Sequence, residues 1–155
     1  MVEAAQVGLM APLVGDAEFL RRVYLDLVGK IPSATEARAF LEDQSPQKRN
    51  VLIEQLLDSP RYARHWSNVF DVILMERRGG GPISAADWQA YLHDFFVQGK
   101  PYDQLVREIL SADGTEGRQR RAANFYLNRE GETHKLTRDI GRIFFGRDLQ
   151  CAQCH

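Results

Sequence analysis

Ser59-Pro60-Arg61-Tyr62-Ala63-Arg64-His65-Trp66-Ser67-Asn68-Val69-Phe70-Asp71-Val72-Ile73 decides the fold. A proline at the first helical position is harmless, because its missing N–H would have no intrahelical partner there, and the serine before it can cap. Tyr62, Trp66, Val69, Phe70 and Ile73 then recur at three- and four-residue steps, the period of one helix face. Upstream, Ser45-Pro46 repeats the start signal ahead of Leu52, Ile53, Leu56 and Leu57. Ser33-Ala34-Thr35-Glu36 reads as a capping box in which hydroxyl and carboxylate satisfy each other's backbone donors, and its helix is expected to bury Ala37, Phe40 and Leu41. Asp16 is the expected cap of a first helix carrying Phe19, Leu20, Val23, Tyr24 and Leu27, with Gly29 and then Pro32 as its stop.

Downstream, Gly79-Gly80-Gly81-Pro82 breaks the chain. Ser84 caps a helix bearing Trp88, Tyr91, Leu92, Phe95 and Phe96 up to Gly99, and Pro101 starts another with Leu105, Val106, Ile109 and Leu110. Ser111 to Ala123 reads as a polar loop, with Arg118-Gln119-Arg120-Arg121 at the surface. Asn124 to Leu127 is a short apolar patch, helical or extended. Thr133 caps a last helix with Leu136, Ile140, Ile143 and Phe144 inward, ending at Gly146. No run alternates with period two, so strands are not expected. The fold expected is all-α, an orthogonal bundle of about six or seven helices. Residues 1–15 read as a flexible lead-in and 16–155 as one helical domain.

The chain has 155 residues, 20 basic and 21 acidic, for a formal net charge of -1. A chain this long buries roughly 68–70% of its unfolded surface and needs no staple. Its mixed charge argues against nucleic acid as a partner, which would ask for a basic face. No apolar run approaches the ~20 residues of a membrane span. The first residues lack the basic start and long apolar core of a signal peptide.

The chemistry lies in the last five residues, Cys151-Ala152-Gln153-Cys154-His155, which hold both cysteines. Cys-x-x-Cys-His is the attachment signature of haem c. Each thiol adds across one vinyl group to form a thioether, and two intervening residues let the sulfurs reach opposite edges of one porphyrin. His155 can then be the proximal iron ligand. A disulfide, a thiol redox pair and half of a zinc site are the rival readings. Zinc would want four protein ligands and there is no second cysteine pair. No αβ pattern is present to host a thioredoxin-like pair.

Phe19-Leu20-Arg21-Arg22-Val23-Tyr24-Leu25-Asp26-Leu27, Ser59-Pro60-Arg61-Tyr62 with His65-Trp66, Ala123-Asn124-Phe125-Tyr126, and Arg142-Ile143-Phe144-Phe145-Gly146 running into Leu149-Gln150-Cys151 together resemble a known family. It is the planctomycete cytochrome-associated family catalogued as domain of unknown function 1549, and the resemblance covers about Asp16 to His155. It implies a haem-binding helical module of large exported proteins, which often carry a cytochrome-c-like domain and carbohydrate-binding modules as well.

The function expected is therefore a c-type-cytochrome-like module, extracytoplasmic, in the periplasm or cell envelope. It would transfer electrons to a redox partner protein or to other domains of the same polypeptide, as an excised segment of a longer exported chain. The alternative is a helical binding or scaffold module of an exported polysaccharide-handling protein, with haem accessory or absent. For the sixth iron ligand the available side chains are His134, His65, His93, Met75 and Met10, beside a ligand beyond His155. His134 points away from Leu136, Ile140 and Ile143 and shares a face with Gly141 and Phe145, which could line a porphyrin. His65 reads as a half-buried structural residue, His93 as exposed, and Met75 as facing the surface or a partner. Arg138, Arg142 and Arg147 are candidates for a haem propionate. No carboxylate pair, phosphate loop or Ser-His-Asp set is recognisable.

Overall fold

The computed structural model describes residues 13–76 and 81–149, and among them the chain is all-helical, with no strand. The helices are α1 Asp16–Val28, α2 Ala34–Glu42, α3 Lys48–Leu57, α4 Pro60–Met75, α5 Ala85–Val97, α6 Tyr102–Leu110, α7 Gly117–Ala122, α8 Asn124–Leu127 and α9 Thr133–Phe145. The two segments beyond the expected six or seven are the short α7 and α8.

Local chemistry explains most of the starts and stops. Ser33 Oγ accepts from the Glu36 N–H while Glu36 Oε2 accepts from the Ser33 N–H at 2.8 Å, so the capping box is complete. Ser59 and Ser84 accept from the Tyr62 and Asp87 N–H groups and open α4 and α5. Gly29 ends α1 in the left-handed region at φ 69°, and a Cβ there would collide with the His65 ring. Two starts fall one residue before the expected one. Gly15, not Asp16, precedes α1, and Glu132, not Thr133, precedes α9. Asp16 instead pairs with Lys48 and Arg49. Ser45-Pro46 forms a turn rather than the first helical turn, and α3 begins at Lys48.

The helices close around two apolar clusters. Leu20, Tyr24, Val28, Phe40, Leu52 and Leu56 join α1, α2 and α3. Leu74, Met75, Trp88, Tyr91, Leu92, Phe95, Leu105, Ile109, Ala122 and Phe125 join α4 to α8, and Leu136, Ile140, Ile143 and Phe144 of α9 pack on them. α4 packs on both α1 and α5 and ties the clusters together. Its fully buried line runs through Ala63, Ser67 and Leu74, one residue on from the expected aromatic stripe. Small side chains let neighbouring helices approach closely, so Tyr62, Trp66 and Phe70 are left half-buried at the edge and Ile73 is exposed. Leu41 is exposed as well, because α2 is short and turns only Phe40 fully into the core.

The segment read as a polar loop contains α7. Its anchor is tertiary: Glu108 accepts from Arg118 at 2.8 Å, Tyr91 at 3.1 Å, Gln104 at 3.1 Å and Lys100 at 3.2 Å. The Arg118 guanidinium also lies 4.8 Å from the centre of the Tyr91 ring. Burial pushes the Glu108 carboxyl up, but Arg118, Lys100 and Tyr91 together hold it below its usual value. Asp71 Oδ1 accepts from Trp88 Nε1 at 2.9 Å and fixes α5 on α4.

Ser33→Ala is expected to cost about 1 kcal/mol, read as a lower urea midpoint at unchanged slope. Glu36 is held at about 2 by the Ser33 N–H first and then by the Ser33 hydroxyl, below an ordinary 4.5. A lowered folded pKa means that its contribution is whole above the unfolded value and is lost as pH falls from about 4.5 toward about 2. The acid limb of the stability curve is expected to flatten over that window in Glu36→Gln.

Candidate functional site

The cysteines and histidine of the terminal motif, Cys151, Cys154 and His155, lie outside the described residues, as does Met10. What the structure defines is the platform that leads into the motif, which is α9 and residues 146–149.

α9 is held by a buried ion pair. Arg129 and Asp139 both have side chains 0% exposed, and Arg129 Nε donates to Asp139 Oδ2 at 2.7 Å. The other two arms of the same guanidinium donate to the Phe125 carbonyl at 2.9 Å and the Leu74 carbonyl at 2.8 Å. Its plane rests 3.8 Å from the centre of the Phe125 ring. One side chain thus ties the ends of α4 and α8 to the middle of α9. Asp139 also accepts from Arg138 Nε at 2.8 Å, and Arg142 lies 4.0 Å away while pairing with Glu76. Burial alone would raise the Asp139 pKa, but the bonds and charges of Arg138 and Arg129 outweigh it and hold the carboxyl below its usual range. Sequence reading passed over this pair. The available signal was a carboxylate at 139, three residues after Leu136 and four before Ile143, inside an apolar stripe.

Beyond α9 the chain turns back at once. Gly146 takes φ 61°, and the Arg147 N–H donates to the Gly141 carbonyl at 2.9 Å. The Gly146 N–H donates to the same carbonyl, a six-to-one closure that gives the glycine-terminated helix end expected of a left-handed cap. Leu149 then packs over Gly141. The face read as open to a porphyrin at Gly141 is therefore filled by the chain's own Leu149, because the turn brings the returning segment onto it. Phe145, 67% exposed, remains the open aromatic of that end.

The remaining candidates are scattered. His134 is exposed in the first turn of α9, with Nε2 3.1 Å from Glu132 Oε2. His65 is half-buried against Gly29 and the Trp66 ring. His93 is half-buried and lines a groove with Leu57, Tyr62 and Phe96. Met75, expected at the surface, is 2% exposed in the main cluster, because the last turn of α4 is covered where Arg129 grips the Leu74 carbonyl. Among the described residues no group of three or more His, Cys, Asp or Glu could hold a metal ion. No described helix is long and apolar enough to cross a membrane. Half-buried Tyr62, Trp66, Phe70 and Phe96, with exposed Tyr102, line a second groove of about 340 Å³ between α4, α5 and the start of α6.

The family model described as PSCyt2, protein of unknown function (DUF1549), matches residues 3–155. No curated protein and no solved structure matches the chain.

Asp139→Asn leaves the Arg129 charge buried with a weaker partner and is expected to cost about 3–5 kcal/mol. Arg129→Met with Asp139→Leu removes both charges, so the double variant is expected to lose less than the sum of the two singles. Urea denaturation of wild type, Arg129→Met, Asp139→Leu and the double variant measures this coupling, and amide exchange along α9 is expected to quicken in both singles.

Proposed function

Because the chain belongs to the PSCyt2 family of unknown function (DUF1549), we propose that it is a c-type haem-binding module that transfers electrons within a larger exported protein. The observation that carries this reading is the Cys-x-x-Cys-His sequence, which begins two residues after Leu149 and six after the last residue of α9. The donor set fits the group: two thiols for two thioether links and an adjacent imidazole for the iron. Haem c, when bound, supplies one-electron redox chemistry. Cys151 and Cys154 would hold it covalently, and His155 would be the proximal ligand.

The described residues do the positioning. Arg138 and Arg142 are committed to Asp139 and Glu76. Arg147, exposed and without an ion pair among the described residues, is the guanidinium best placed in sequence for a propionate. Exposed Phe145 offers an apolar surface beside it. His134 remains a candidate for the sixth position, as does a ligand beyond His155. The setting is extracytoplasmic, where thioether attachment takes place, and the partner is a redox protein or another domain of the same polypeptide.

A second reading, a binding module of an exported polysaccharide-handling protein with haem accessory or absent, draws on the aromatic groove of Tyr62, Trp66, Phe70, Phe96 and Tyr102. Aromatic faces are a common apolar platform for ligands. In that case Cys151→Ala with Cys154→Ala keeps all partner binding and Trp66→Ala loses it.

The chain is to be placed behind a secretion leader in a host with active cytochrome maturation. The wild type is expected to show a haem-sized mass addition and a colour that resists acid–acetone extraction. Cys151→Ala with Cys154→Ala is expected to be colourless with an unchanged helical far-UV spectrum. A wild type of unmodified mass from that host overturns the reading.

A further inference from the structure

Glycine is a poor residue inside a helix, since it is the most flexible when unfolded. Gly141 nevertheless lies inside α9, and the structure shows what its missing side chain is for. A Cβ at 141 would stand 2.7 Å from Leu149 Cδ1, 2.9 Å from Leu149 Cγ and 3.0 Å from the Arg147 carbonyl oxygen. Leu149 therefore sits in a notch that any other residue would fill. The Gly141 carbonyl also accepts the Arg147 N–H at 2.9 Å. One residue thus holds the returning chain twice, by its backbone oxygen and by its lack of a side chain. α9 itself cannot slide to compensate, because Asp139, two residues earlier, is locked to buried Arg129.

Cys151 follows Leu149 by two residues, a span of at most about 7 Å of chain. We infer that Leu149 seated in the Gly141 notch is a positioning device that sets where, relative to α9, the Cys-x-x-Cys-His segment begins. Only its redox consequence rests on the proposed haem function; the seating of the segment does not. A fixed starting point favours attachment, because the two thiols and the imidazole must meet one porphyrin together and pre-ordering lowers the entropy of that meeting.

The test uses the full chain without haem, with Cys154→Ser and a nitroxide on Cys151. The parent is expected to show a slow, immobilised spectral component. Gly141→Ala is expected to convert it to a fast one, with a correlation time several-fold shorter, while the far-UV spectrum stays helical. Leu149→Ala reproduces the change without touching α9, which covers the case of a misfolded Gly141→Ala. Leu149→Met, similar in volume and flexible, is expected to keep the slow component. Equal mobility in the parent and Leu149→Ala overturns the proposal. In maturation-competent cells, Gly141→Ala is expected to carry several-fold less haem per chain than wild type. If wild type takes up no haem while the nitroxide contrast holds, the haem reading fails and the notch stands. If haem attaches but the contrast is absent, the notch alone is wrong.

Discussion

Arg129 is the constraint on which the rest of the main cluster depends. A buried guanidinium is costly unless every arm has an acceptor, and here the acceptors come from three different helices. The charge can be satisfied only if the last turn of α4, the short α8 and the middle of α9 stand at one mutual spacing. An apolar core would tolerate small slides between these elements; a charged fork with fixed geometry does not. The apolar faces of Phe125, Ile140, Ile143 and Phe144 supply the burial, and Arg129 with Asp139 supplies the register.

That register matters because the terminal motif follows the end of α9 after only five residues, 146–150. The helix end is closed by Gly146, the chain folds back, and Leu149 lands on Gly141. The motif thus begins from a helix pinned by ion pairing and from a turn fixed by backbone bonding. Electron transfer asks a protein for little more than a cofactor held at a constant place near its partner.

Features set by neighbours in sequence were legible before the structure. Ser33 with Glu36, Ser59 and Ser84 at helix starts, and Gly29 and Gly146 at helix ends, act through bonds spanning a few residues, so pattern alone finds them. Features set by tertiary neighbours were not. Met75 lies off the aromatic face of α4 yet is buried, because periodicity defines a face and not what covers the others. The polar stretch after Ser111 hides α7, which depends on Glu108 reaching Arg118. The buried line through Ala63 and Ser67 escaped notice because small residues carry little hydrophobic signal. Gly141 was read as part of a face that could line a porphyrin, but the group that packs on it is Leu149. The motif is the reverse case: its chemistry is written in residue types and spacing, while its three side chains lie outside the described residues.

The central claim is that Cys151 and Cys154 bind haem through thioethers. Its most direct test is the pyridine haemochrome spectrum of wild-type protein secreted from cells with active cytochrome maturation. The account predicts the spectrum of a haem with both vinyl groups saturated, present at one per chain. A haemochrome with free vinyl groups, or none at all, would contradict it.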